Sequence, residues 1–171
     1  MRGIFKLAGV GILGVILAAV FIPKAFSPEP LQSSQPQPAP MMSLTLYFSL
    51  PDASSLKAEK REVALTTEPA RTALDELLAG PKTNELVSVI PAGTKVQGIA
   101  IRHGVAYVDL SEDILNTPNR GSASESLIIT SIVNTLTEFP DIEKVQILIA
   151  GKEVETLYGH MDLTQPMTRF R

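Results

Sequence analysis

The sequence has no cysteine and no tryptophan, and only 5% of its residues are aromatic. Without a thiol there are no disulfides, thiolate metal sites or cysteine nucleophile, and no cysteine for lipoprotein acylation. Few aromatics and no basic run leave little to stack on bases or to neutralise a phosphate backbone, so nucleic acid is excluded as a partner. Charged residues are also sparse at 19%, but 44% of the chain is hydrophobic, enough to bury a core and offset the entropy of ordering. The 171 residues suffice for one ordinary domain with appendages.

Charge divides unevenly along the chain. Up to residue 43, Arg2, Lys6 and Lys24 face only Glu29. From Leu44 to Arg171 there are 12 basic and 17 acidic residues, a net charge of −5. Between Lys6 and Lys24, residues 7–22 carry no charged side chain. At 1.5 Å rise per residue such a helix would be about 25 Å long, near the thickness of a bilayer core. Residues 1–26 therefore read as a transmembrane anchor or signal segment, with Arg2 and Lys6 on the cytoplasmic side and everything after Lys24 across the membrane. Pro28 after Ser27 argues against cleavage there, so a single-pass anchor is favoured over secretion after signal cleavage. Residues 27–43 read as a linker: five prolines among Gln, Ser and Ala favour an extended, solvated spacer.

The remainder, 44–171, reads as one α+β domain. Strands are expected at Leu44–Phe48, closed by a turn at Pro51–Ser54, and at Arg61–Leu65. Ala70, Ala73, Leu74, Leu77 and Leu78 recur at helical spacing behind Pro69, and Gly80-Pro81 ends that helix. Leu86, Val89 and Ile90 suggest a short apolar turn. A hairpin follows, 94–101 and 105–110, around Arg102-His103-Gly104, where positive φ is expected. Ser111–Leu115 suggests a capped helical turn. Ser122 with Glu125 three residues later fits a capping box opening a second helix, whose apolar face is Leu127, Ile128, Ile132, Val133 and Leu136. Lys144–Ile149 is the last strand. The expected arrangement is a small mixed sheet with two main helices packed on one face.

Candidate chemistry is thin. There is no Gly-rich phosphate loop, no His-Glu-x-x-His helix and no Gly-x-Ser-x-Gly elbow. Asp109, Glu112 and Asp113 form the densest acidic cluster, but helix starting explains Ser111 and the acids after it, and capping explains Glu125. His103 fits an exposed turn. His160 and Asp162 share a face of an extended segment without an identifiable nucleophile. Tyr47 and Phe48 read as core. No catalytic, cofactor-binding or metal-binding residue is assigned, and no cofactor is expected.

Seven segments in order carry a resemblance: Leu44-Thr-Leu-Tyr-Phe48, Leu77-Leu-Ala-Gly-Pro81, Ile90-Pro-Ala-Gly-Thr94, Gly104-Val-Ala-Tyr-Val-Asp-Leu-Ser111, Gly121-Ser-Ala-Ser-Glu125, Ile132-Val-Asn-Thr-Leu-Thr-Glu-Phe139 and Val145 to Gly151. Together they resemble the GerMN domain family of sporulation and spore-germination proteins, over nearly all of residues 44–165. The resemblance implies a fold similar to ring-building motifs and a non-enzymatic scaffold or interaction module on the outer side of the cytoplasmic membrane. It implies other envelope or sporulation proteins as partners, with self-association, and peptidoglycan binding as the alternative. Members with tandem domains and a lipoprotein cysteine differ from this chain, in which residues 7–22 would be the anchor.

Overall fold

A computed structural model describes residues 39–171 of the chain. The described residues form one compact unit. The apolar run 7–22 and the proline tract up to residue 38 lie outside the described residues. Among the described residues, no helix is long and apolar enough to cross a membrane.

The elements run β1 (Met41–Ser49), β2 (Leu56–Ala64), α1 (Pro69–Leu78), β3 (Val96–Arg102), β4 (Val105–Leu110), a 3₁₀ turn (Glu112–Leu115), α2 (Ser122–Leu136), β5 (Lys144–Ile149), β6 (Lys152–Glu153) and β7 (Met167–Thr168). The α+β class is as expected, but the strands divide between two sheets. β1 and β2 form an antiparallel ribbon. The second sheet has the order β3-β4-β5-β6, with β7 also paired to β5. It is mixed because β4 and β5 run parallel while its other pairs are antiparallel. Parallel neighbours need a crossover, which α2 supplies.

Period-two alternation sends Leu44, Leu46 and Phe48 of β1 into the core. From the other sheet come Ala106, Val108 and Leu110 of β4 and Val145, Ile147 and Ile149 of β5. α1 packs on β1 and β3, and α2 packs on β1 and β5, so both sheets cover the helix pair. This is more than one sheet face covered by two helices, and it changes what α2 needs. Residues 131–136 are buried at every position, including Ser131, Asn134 and Thr135. A helix enclosed on several sides must satisfy its polar groups internally. Ser131 Oγ donates to the Tyr47 carbonyl at 2.6 Å, Thr135 Oγ1 accepts the Tyr47 N–H at 3.1 Å, and the Asn134 amide bonds the backbone of Phe170. Ser131→Ala or Thr135→Val should each lower stability by about 1 kcal/mol in urea unfolding. An unchanged midpoint for both would show that these bonds contribute nothing net.

Two strands are longer than the apolar pattern indicates. β1 begins at Met41, pairing Met41 with Ala64, so residues 41–43 belong to the sheet and not to the linker. β2 begins at Leu56, five residues before the expected Arg61, because its inward positions include the charged Glu59 and Arg61, both buried. The Ser111 hydroxyl does not cap the 3₁₀ turn. It accepts the Lys95 N–H at 3.0 Å and donates to Asp113 Oδ2 at 2.9 Å. The short apolar turn expected at Leu86, Val89 and Ile90 does not form; Val87 instead exchanges two backbone bonds with Ser49 at the edge of β1. The hairpin turn is as expected: His103 has φ 52° and Gly104 φ 78°. A side chain at Gly104 would also press on Glu143, 3.4 Å from the Cβ position.

Candidate functional site

The polar residues singled out in the sequence are dispersed. Asp109 accepts the Gly151 N–H at 2.7 Å, beside the turn after β5. Asp113 holds Ser111, and Glu112 is exposed. His103 sits exposed in its turn. His160 and Asp162 do not pair: His160 Nε2 lies 3.2 Å from the Arg120 carbonyl, while Asp162 accepts the N–H and hydroxyl of Thr164. The Thr164 bonds hold the Asp162 carboxyl below its usual range. Among the described residues, no group of three or more His, Asp or Glu is placed to hold a metal ion.

Glu125 differs most from its sequence reading. It is fully buried, and it caps no residue of its own helix. Its Oε1 accepts the N–H groups of Leu157 and Tyr158 at 2.9 and 3.0 Å, and its Oε2 accepts that of His160 at 2.9 Å. The carboxylate thus clamps segment 157–160 against the start of α2, helped by a Tyr158 hydroxyl bond to the Ile114 carbonyl at 2.6 Å. The Ser-x-x-Glu spacing imitates a capping box, and the true partner lies 32 to 35 residues away.

Phe48 is core, with the Arg61 guanidinium 5.7 Å from its ring centroid. Tyr47 is only half-buried; its hydroxyl donates to Glu138 at 2.7 Å, and Arg169 joins both. Burial, then the Glu138 carboxylate, raises the Tyr47 pKa. Desolvation opposes ionisation of Glu138, but its bonds from Tyr47 and Arg169 prevail and lower its pKa. The cluster fastens the tail after β7 to β1 and α2.

With the polar groups engaged, backbone edges become the relevant surface. An unpaired edge offers alternating N–H and C=O groups to another strand, and proteins usually blunt it. The outer edge of β1 is closed by Ser131, Thr135 and Val87. β2 carries Lys60 and Glu62 facing outward, Glu59 and Arg61 facing inward, and an exposed Lys57 near its start. β6 and β7 are two residues long. β3 has none of these protections along its middle. Among the described residues it pairs only with β4, and after an irregularity between Val96 and Gly98 it runs regularly through Gly98-Ile-Ala-Ile-Arg102.

A cavity of about 410 Å³ opens between this strand and the start of α1. Ile99, Ile101, Phe139 and Ala70 supply its apolar lining, and Glu68 and Asp141 its acidic groups. Ile101 is 41% exposed. Arg71 also lines the cavity, but Asp75 engages it at 3.1 Å. Sequence reasoning places Ile99 and Ile101 on a strand without marking them, because an unpaired edge is a property of the assembled sheet.

A family model described as "Germane: Sporulation and spore germination" matches residues 45–155. The chain is 31% identical over 93 residues to the spore germination protein GerM of Bacillus subtilis (strain 168), covering 52% of this chain and 25% of that protein. The solved tandem GerMN domains of the sporulation protein GerM from Bacillus subtilis superpose with a TM-score of 0.66 at 26% identity, over 75% of this chain and 46% of that one. A Clostridium perfringens protein assigned as a lipoprotein gives 0.55 at 26% identity, over 75% of this chain and 87% of its own. The chain therefore spans about a quarter of its curated relative and under half of the tandem pair.

Proposed function

Because the chain belongs to the Germane (GerMN) family, linked to sporulation and spore germination, we propose that it is a non-enzymatic protein-interaction module of the cell envelope that serves one of those processes. The observation that carries this reading is the contrast within the family-matched region. Its buried carboxylates and hydroxyls hold the fold together, whereas the uncharged middle of the β3 edge and the cavity beside it stay open. Such a surface suits recognition of another polypeptide.

Location follows from the sequence ahead of the domain. Residues 7–22, preceded by Arg2 and Lys6, insert as a single-pass anchor, and the proline tract holds the domain off the outer surface of the cytoplasmic membrane. The Clostridium perfringens relative, assigned as a lipoprotein, supports an envelope setting. This chain has no cysteine to acylate, so the apolar segment takes the anchoring role.

The test is genetic and biochemical together. In a spore-forming host that carries the gene, its deletion should reduce heat-resistant spores or their germination. Full-length chains bearing Glu112→Gln, Asp113→Asn or His160→Ala should restore the phenotype, and purified peptidoglycan should leave the protein in the supernatant. Loss of rescue by a folded Glu112→Gln or His160→Ala chain would count against a non-enzymatic role. Co-sedimentation with peptidoglycan would favour a wall-binding module instead.

A further inference from the structure

We propose that β3 accepts an extended segment of another protein as an added outer strand, and that this segment is apolar at alternate positions with a lysine or arginine flanking them. The proposal rests on the reading of the domain as an interaction module and names the chemistry of its partner.

The geometry comes first. Five residues from Gly98 to Arg102 offer roughly 17 Å of regular edge, enough to pair a short strand. Side chains of an added strand would alternate between the two faces of the sheet. Those on the helix-bearing face would meet the cavity lined by Ile99, Ile101, Phe139 and Ala70. Main-chain bonds along the edge and apolar side chains in the cavity are the two ingredients of strand addition.

Charge then selects the occupant. Glu68 and Asp141 line the cavity, both exposed, and neither is in an ion pair among the described residues. Among the described residues, the only basic one of the lining, Arg71, is held by Asp75. A basic side chain beside the apolar ones would find both carboxylates. A second copy of this chain would bring a matching acidic pair and another net charge of −5 from residues 44–171, which disfavours self-pairing here.

The experiment uses the full chain in mild detergent micelles and a capped, fluorescein-labelled peptide, Lys-Thr-Val-Thr-Val-Thr-Lys, whose lysines share a face with its valines, read by anisotropy. Saturable binding is expected, with about ten-fold weaker binding when both lysines become glutamates. N-methylation of alternate peptide amides should abolish binding in one parity and spare it in the other, because only one set of N–H groups faces the edge. Ile101→Lys places a charge on the edge and should abolish binding, and the milder Ile101→Thr should weaken it, both with unchanged far-ultraviolet circular dichroism. Equal binding by the Lys and Glu peptides, indifference to N-methyl parity, or full binding by both Ile101 variants would each overturn the proposal. So would a protein dimer in sedimentation velocity that Ile101→Lys dissolves, since the occupant would then be a second copy. If the peptide fails to bind while deletion and rescue behave as described above, the strand-accepting edge is lost and the functional reading stands. If it binds but deletion has no phenotype, the functional reading falls instead.

Discussion

Glu125→Ala should lower the stability of the domain by about 3 kcal/mol and its Tm by about 10 °C, since each buried donor left without an acceptor costs on the order of 1–3 kcal/mol. The loss is expected to be large because one side chain serves three backbone N–H groups, those of Leu157, Tyr158 and His160. The isosteric Glu125→Gln gives a sharper measurement. Its carbonyl oxygen can keep the two bonds made by Oε1, while its amide replaces the Oε2 acceptor and opposes the His160 N–H. About half the destabilisation of the alanine variant is therefore expected. Hydrogen exchange should distinguish the two, with Leu157 and Tyr158 still protected in the glutamine variant and all three amides exposed in the alanine variant. Wild-type melting in both would show that packing of Leu157 and Tyr158 holds the segment without the carboxylate.

The second large effect centres on Arg61, which is 4% exposed. It donates to the Glu76 carboxylate at 2.7 Å and to the Glu76 and Gly80 carbonyls at 2.9 Å each, where α1 ends, and it pairs with Glu59. One guanidinium thus satisfies orphan carbonyls at a helix terminus and neutralises a buried acid. Arg61→Met should cost about 3–5 kcal/mol, chiefly because Glu59 is left buried without its counter-charge. Adding Glu59→Leu should recover much of that loss, because matched apolar groups often replace a buried pair at little cost. No recovery in urea unfolding of the double variant would mean that the contacts with α1 dominate.

The same pair sets an acid limit. Desolvation opposes ionisation of Glu59, but the bond from Arg61, the Lys82 N–H and the Arg61 charge outweigh it and hold its carboxyl below the usual 4.5. The stabilisation is therefore complete above that value and is lost as pH falls through the lowered one. In Arg61→Met, where desolvation acts with less opposition, the acid limb of the stability curve should move to higher pH. A limb that stays in place would assign acid sensitivity to another carboxylate.

The sequence was most legible where apolar periodicity and local chemistry agree. α1 shows its spacing, Pro69 and Gly80; the hairpin shows Gly104; and β5 shows its alternation. Legibility failed where charge occupies an inward position, as at Glu59 and Arg61, because the first half of β2 then lacks an apolar stripe. β6 and β7 are too short for any period to register. Glu125 illustrates a different failure: a local pattern was present and plausible, but a partner distant in sequence captured the side chain. The candidate site was least visible of all. It is defined by which edge lacks a neighbour, and that depends on how Ser131, Thr135 and Val87 close β1 while nothing equivalent among the described residues closes β3 along its middle.

The pairing of Met41 with Ala64 also has a mechanical consequence. Tension entering through residue 40 meets the β1–β2 ribbon at its open end, where the Leu65 N–H and the Pro40 carbonyl are joined at 2.8 Å. A pull separating residue 40 from the start of α1 would therefore peel the ladder one bond after another, and would not shear nine residue pairs at once. Peeling would meet its first additional resistance at Leu44 and Leu46, buried in the core opposite Arg61 and Glu59, then at Tyr47, pinned by Ser131 and Thr135, and at Ser49, pinned by Val87. Only residues 41–43 and their partners 62–64 can thus yield under small loads as a compliant end of the ribbon while the core and the β3 edge keep their shape.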